Sequence, residues 1–194
     1  MIRLKYGNTN TFFIPGHHGG LLIDTDYAGT MPAFYREIKN HGIGVRDIAY
    51  VMATHYHPDH MGLIGELTEQ GVRLLLIDIQ VDAVHISDRI FTRDKRPVSP
   101  IDESRATVIS CEESEGFLHG MGISGKIVRT SSHSKDSVSL IMDNGDCFAG
   151  DLEPIEYLDA YNGNEALRND WNCILSCHPR RIFYAHAPEK ILLP

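Results

Sequence analysis

The segment 48–54, IAYVMAT, is an apolar run that passes without a spacer into HYHPDH, where three histidines and an aspartate occupy six positions. The run reads as a buried strand by its composition. A surface turn gains nothing from so many imidazoles, and a hydrophobic core cannot hold them unpaired. Whatever this chain folds into must therefore end a buried strand where several polar side chains converge on something. In extended chain, residues two apart point the same way, so His55 and His57 can aim at one point. Asp59 and His60 fall at the turn into the next helix and can face a second point close by. Nitrogen donors with one carboxylate suit zinc, with iron or manganese as further candidates.

The rest of the pattern surrounds this segment with short strands. IRLKY, TFFI and GLLID come first, separated by Gly-Asn and Pro-Gly turn signals. Apolar spacing near the helical period predicts a helix over 31–41, stopping at Gly42. A helix is predicted from Asp59 to Gly71, with Leu63, Ile64 and Leu67 on one face, followed by the strand VRLLLI. In the stretch 78–103, IQVDAVHISDRIF can form a helix and TRDKRPVSPIDES reads as an exposed loop. ATVIS, GKIVRTS, SVSLIMD and CFAGD are strand candidates, the last two joined by Asn-Gly, the strongest hairpin signal in the chain. A helix across NEALRNDWNCILSC, in which Trp171 is expected to pack, and a strand RIFYAH complete the order. Sheet-rich openings followed by helix occur twice, a pattern satisfied by two face-to-face sheets with helices outside.

A chain of 194 residues is expected to form one domain, 1–194. Its formal charge of −8, without a long basic run, argues against nucleic acid or an anionic membrane as partner. The N-terminus has no apolar core of signal-peptide length, and no run approaches a membrane span. Cys111, Cys147, Cys173 and Cys177 show no C-x-x-C spacing, so reduced cysteines and a cytoplasmic location are expected.

Three further ionisable residues sit where predicted strands end: His133 after GKIVRTSS, Asp151 after CFAG, and His186 at the close of RIFYAH. Each alone would be an ordinary cap or strand-end residue. Together they supply what a two-metal site with only four ligands lacks.

In these elements the chain resembles the metallo-β-lactamase-fold hydrolases. NTFFI with GGLLIDT, THYHPDH, SSHSKDSVSL, FAGD and YAH stand in that family's order across nearly the whole chain. The resemblance implies an α+β fold, a four-layer αββα sandwich, and a site for two divalent metal ions, zinc foremost. It implies that His55, His57 and His133 hold one ion, that Asp59, His60 and His186 hold the other, and that Asp151 bridges them. It also implies that Asp24 supports the ligands from behind. Two departures stand out: Ser132 replaces the glycine usual before the third histidine, and PGHHGG replaces a tight strand connection.

Such a centre implies a hydrolase in which a metal-bridging hydroxide attacks and Asp59 orients it or receives a proton. The chain ends shortly after His186, so a glyoxalase-II-type helical domain is not expected. The exported lactamases of the fold have a signal peptide and mostly no bridging aspartate. Nuclease insertions and the flavodiiron ligand exchange are likewise not seen. What remains is a hydrolase for a small-molecule ester, thioester or lactone. The alternatives are a mononuclear non-haem iron oxygenase of the persulfide dioxygenase type and a catalytically silent binding protein. Tyr157, Tyr161 and His18 are candidate substrate contacts, with packing and plain loop exposure as the competing readings; His17 shares the PGHHGG loop. The stretch 78–103 is a place for a lid or a homodimer contact.

Overall fold

The computed structural model describes residues 1–158, 160 and 163–192. Two sheets form the middle of the molecule. The first runs in the order β1 (Ile2–Leu4), β2 (Thr11–Ile14), β3 (Gly20–Ile23), β4 (Ile48–Met52), β5 (Arg73–Ile77) and β6 (Thr107–Ile109). Its first three strands pair antiparallel, and β3 through β6 pair parallel. The parallel part is linked by crossovers that include α1 (Met31–Asn40), α2 (Pro58–Met61), α3 (Ile64–Glu69) and α4 (Asp88–Arg93). After α5 (Ser114–Gly120) comes the second sheet. It is built from β7 (Gly125–Arg129), β8 (Val138–Met142), β9 (Asp146–Gly150), β10 (Arg181–Tyr184) and β11 (Lys190–Ile191), with α6 (Glu165–Leu175) between β9 and β10.

Strand alternation sorts the apolar residues into three cores, and three cores make four layers. In the first sheet Leu22, Val51, Leu74 and Leu76 point outward against Phe34, Ile38, Met61, Leu67 and Phe91 of the helices. Their neighbours Leu21, Ile23, Tyr50, Met52, Leu75 and Ile77 point inward, against Ile127, Leu140, Phe148 and Phe183 of the second sheet. On the far side, Ile141, Cys147, Ile182 and Tyr184 pack on Leu167, Trp171 and Ile174 of α6. Strands covered on both faces need apolar residues at nearly every position, which is why IAYVM and LLLI read as unbroken runs. Between the sheets, Phe12 meets Phe148 and Phe183 with ring centroids 5.0 and 5.5 Å apart. The αββα sandwich is thus the observed fold.

Several local expectations are corrected. The helix predicted from Asp59 to Gly71 is two pieces, α2 and α3, interrupted at Gly62 and Leu63. Here the chain presses against residues 26–28, and a Cβ on Gly62 would lie 2.2 Å from the Ala28 nitrogen. The possible helix in IQVDAVHISDRIF divides into a 3₁₀ turn, Asp78–Ala83, and α4. Helix α5 carries no clear signal in the sequence, because Gly116 and Gly120 weaken its helical pattern. The Asn-Gly hairpin is as expected, with Gly145 at φ +89° between β8 and β9. Among the described residues no helix is long and apolar enough to cross a membrane.

Because Gly62 has ordinary helical φ and ψ, its substitution tests contact alone. Gly62→Ala is expected to cost about 1–3 kcal/mol through overpacking. Urea unfolding of the metal-free protein measures it, and an unchanged midpoint would mean that the two loops do not touch.

Candidate metal centre

All the predicted ligands gather at one edge of the sandwich. β3, β4, β9 and β10 run parallel within their sheets and end there, so the residues just past their ends are brought together. β8 runs antiparallel to β9, which puts the 130–137 loop at the same edge. Main-chain bonds lock the junction. Val138 N–H donates to Thr54 O across the two sheets (2.9 Å), Ala185 N–H donates to Gly150 O (2.9 Å), and Asn10 N–H donates to Ala185 O (2.7 Å). Gly150, at φ +57°, lets β9 approach the first sheet; a Cβ there would stand 2.5 Å from Thr54 Oγ1.

Three nitrogens form the first cluster. His55 Nε2 is 2.9 Å from His57 Nδ1, and His133 Nε2 is 3.2 Å from both. In the second, His186 Nε2 lies 3.1 Å from Asp59 Oδ2, beside His60. Asp151 stands between them, with Oδ2 3.4 Å from His60 Nε2 and 3.7 Å from His133 Nε2, and Oδ1 3.3 Å from His186 Nε2. The donor atoms within each of the groups His55–His57–His133, His55–His60–Asp151 and Asp59–His60–His186 lie within 4.8 Å of one another.

This set fits divalent cations. Tetrahedral ligands at a zinc–nitrogen distance of about 2.1 Å stand about 3.4 Å apart, close to the edges of the first cluster. At most one proton can serve each nitrogen pair, so hydrogen bonds alone cannot satisfy three converging nitrogens. His60 Nε2 is buried and forms no hydrogen bond, and its distance to Asp151 is an ion-pair contact without good alignment.

The electrostatics point the same way. Burial, then the neighbouring imidazoles, pushes the His55 pKa down, so that ring stays neutral with a lone pair to offer. Burial opposes charge on Asp59 and Asp151, yet His186 beside Asp59 and His60 beside Asp151 hold both carboxyls below their usual range. Burial likewise opposes charge on His60, but Asp24 and Asp151 override it and push the pKa up to about 10. The bond to Asp59 raises that of His186. In the metal-free chain, then, the carboxylates favour a proton on His60 and raise the proton affinity of His186.

The supporting bonds come from residues of both sheets. Asp24, buried and at φ +57°, accepts from Thr54 N–H (2.7 Å) and Thr54 Oγ1 (2.9 Å), and faces His60 Nδ1 at 3.1 Å. The Nδ1 proton is thereby fixed and Nε2 is left free for the centre. His186 Nδ1 faces the Asn8 carbonyl at 3.3 Å, and Thr9 Oγ1 donates to the Asp59 carbonyl at 2.7 Å. Asp26 holds that N-terminal loop by accepting from Asn8 N–H at 2.6 Å. Asp136 accepts from Tyr56 N–H (2.7 Å), between the first two histidines. Buried Gln80 donates to the carbonyls of Ala53 (3.0 Å) and Asp136 (3.1 Å), joining both ligand loops. Ser132 N–H donates to Asp170 of α6 (2.7 Å), so the loop carrying His133 is tied to a helix at the position where the resemblance leads one to expect glycine. Of these, the sequence marks Asp24 as a support and Ser132 as a departure; the others carry no such mark. Gln80 offered the clearest signal, as a polar residue shortly after LLLI.

His18 is a correction. PGHHGG joins β2 to β3, and β3 ends at the metal edge, so the loop must lie at the opposite end of the strand. There His18 lines a cavity of about 370 Å³ with Tyr50, Arg73 and Phe117, and His17 N–H donates to Met121 O (2.8 Å). Tyr157 is half exposed on the 3₁₀ turn Ile155–Leu158 that follows Asp151. Tyr161 lies outside the described residues.

The family model described as the metallo-beta-lactamase superfamily matches residues 4–186. No curated protein gives a significant match. Among solved structures, the metallo-beta-lactamase family protein TTHA1429 from Thermus thermophilus is similar, with a TM-score of 0.72 at 18% identity over 94% of this chain and 70% of that one. TTHA1623, solved in a di-iron-bound form, matches with a TM-score of 0.69 at 20% identity over 98% and 93%. A HARLDQ-motif mutant of a metallo-beta-lactamase from Cronobacter sakazakii matches with a TM-score of 0.67 at 18% identity over 95% and 76%. At such identities the likeness speaks for the fold.

Asp24→Asn keeps a residue that tolerates positive φ while removing the charge behind His60. Metal affinity is expected to fall about 10–100-fold, measured by competition with a chromophoric chelator. Equal affinity would leave Asp24 a purely structural part. Metal added at about 1,000 times its dissociation constant should stabilise the wild-type fold by about 4 kcal/mol, visible as a raised Tm that a chelator reverses. A Tm indifferent to metal would count against the centre.

Proposed function

The chain belongs to the metallo-β-lactamase superfamily, and on that premise we propose that it is a dinuclear metal-dependent hydrolase of a small-molecule ester, thioester or lactone. The observation that carries this is the pair of donor clusters, His55–His57–His133 and Asp59–His60–His186, with Asp151 standing between them. Divalent ions held there would supply a Lewis acid for the substrate carbonyl and a water of lowered pKa as nucleophile. The imidazole-rich donor set suits zinc first. Iron is the second candidate, given the di-iron form of the similar TTHA1623.

The chain's own residues do the positioning. Asp24 and the Asn8 carbonyl orient His60 and His186 through their Nδ1 atoms, so that both rings present Nε2. Thr9 pins the Asp59 main chain, which keeps that carboxylate at the reacting centre. Asp59 is the group placed to take a proton during attack and return it to the leaving group. Burial of His55 and His60 keeps bulk water from competing for the same donors.

Metal quantification together with a panel of esters, thioesters, lactones and phosphodiesters tests this reading. About two metal ions per chain and turnover of a carboxylic ester, thioester or lactone are expected. Asp59→Asn should lower kcat by about 10²–10⁴-fold with the circular-dichroism spectrum unchanged. A single iron per chain with oxygen consumption, or full activity in that variant, would overturn the assignment.

A further inference from the structure

His186 is only partly held by packing: its side chain is 37% exposed, whereas that of His60 is fully buried. It sits on the turn that follows β10, and that turn is fixed from the start of β2 in the other sheet. The carboxamide of Asn10, itself buried, donates through its one nitrogen to two carbonyls, Tyr184 O at 2.9 Å and Ala187 O at 3.1 Å. These two carbonyls flank His186 in the chain. Asn10 N–H takes a third, Ala185 O, at 2.7 Å. A primary amide carries two N–H bonds at a fixed angle in one plane, so the pair of acceptors sets the span of the turn.

The neighbours of Asn10 serve the same cluster. The Asn8 carbonyl faces His186 Nδ1 at 3.3 Å, and Thr9 Oγ1 donates to Asp59 O at 2.7 Å. Asp26 anchors the loop by accepting from Asn8 N–H (2.6 Å) and Thr9 N–H (3.5 Å). Three consecutive residues thus hold the chain at two ligands of one cluster. Among the described residues they make no hydrogen bond to the loops of His55, His57 and His133, which rest instead on Asp136 and Gln80.

We propose that Asn10 is the positioning residue for His186, so that the loop 8–10 sets the affinity of the Asp59–His60–His186 site for its ion separately from that of the His55–His57–His133 site. This rests on the dinuclear reading above and adds that its two sites can be weakened one at a time. Asn10 acts through the turn that carries His186 and takes no part in bond cleavage.

The test follows the ring nitrogens of His133 and His186 by NMR during a zinc titration of the 15N-labelled protein. In Asn10→Asp, an isostere, the flanking carbonyls face an oxygen with no proton to donate. The free zinc that half-converts His186 is expected to rise about 10–100-fold, while that for His133 stays within about threefold of the wild type. Asn10→Ala removes both donors without adding charge and should act in the same direction. Ile38→Ala, in the outer core at α1, lowers stability away from both loops and should keep the two midpoints in their wild-type ratio. Equal loss at both rings in the Asn10 variants, or loss at neither, would overturn the proposal. If neither ring responds to zinc in the wild type, the dinuclear reading fails. The Cε1–H relaxation of His186 in the metal-free protein then still decides the role of Asn10. Both Asn10 variants are expected to loosen that ring relative to His133, and unchanged order refutes the positioning role.

Discussion

A buried carboxylate with three bonds organises this molecule. Asp24 stands at the end of β3, accepts the main-chain and side-chain donors of Thr54 at the end of β4, and faces the Nδ1 atom of His60. Burying a charge is tolerable only when every lone pair has work, and here each bond is also a positional constraint. Through Thr54, the loop that begins the histidine motif is set against the first sheet. Through His60, the motif's last imidazole is turned so that one nitrogen serves the scaffold and the other the centre. The left-handed backbone of Asp24 is part of this arrangement, a local strain offset by the bonds it allows.

From that node the two sheets become interdependent. The Val138–Thr54 bond crosses between them, and Gly150 permits the approach that makes the bond possible. His133, Asp151 and His186 follow strands of the second sheet or lead into them, while the other four candidate ligands follow β4 of the first. Neither sheet holds a full donor set, so the centre exists only while the inner core of Phe12, Phe148 and Phe183 keeps the layers in register. The same packing crowds imidazoles and carboxylates, so that the carboxylates raise the proton affinity of His60 and His186. A divalent cation answers the same electrostatic demand.

Much of this was legible in the chain. Unbroken apolar runs announced strands covered on both faces, and the run of candidate ligands after IAYVMAT pointed to a cluster of donors at a strand end. Bonds that depend on distant partners were harder to see. Thr9, Gln80, Asp136 and Asp170 look like ordinary polar residues until the fold places a carbonyl or an amide beside each. The break at Gly62 escaped because periodicity continues through it, and only the close passage of residues 26–28 forbids a side chain there. His18 misled for a topological reason: a loop that begins a strand cannot serve the site at that strand's end.

By itself, the sequence determined the layered α+β architecture, the identity of the candidate ligands and the order in which they arrive, because strand burial and ligand chemistry are written in residue type and spacing. Tertiary structure alone decided which donors share a cluster and which distant groups orient them. It also set Asn10 against the turn of His186, although the two stand far apart in the chain. The physical reason is that hydrogen bonds, ion pairs and ring contacts act over a few ångströms, and only chain topology brings their partners within that range.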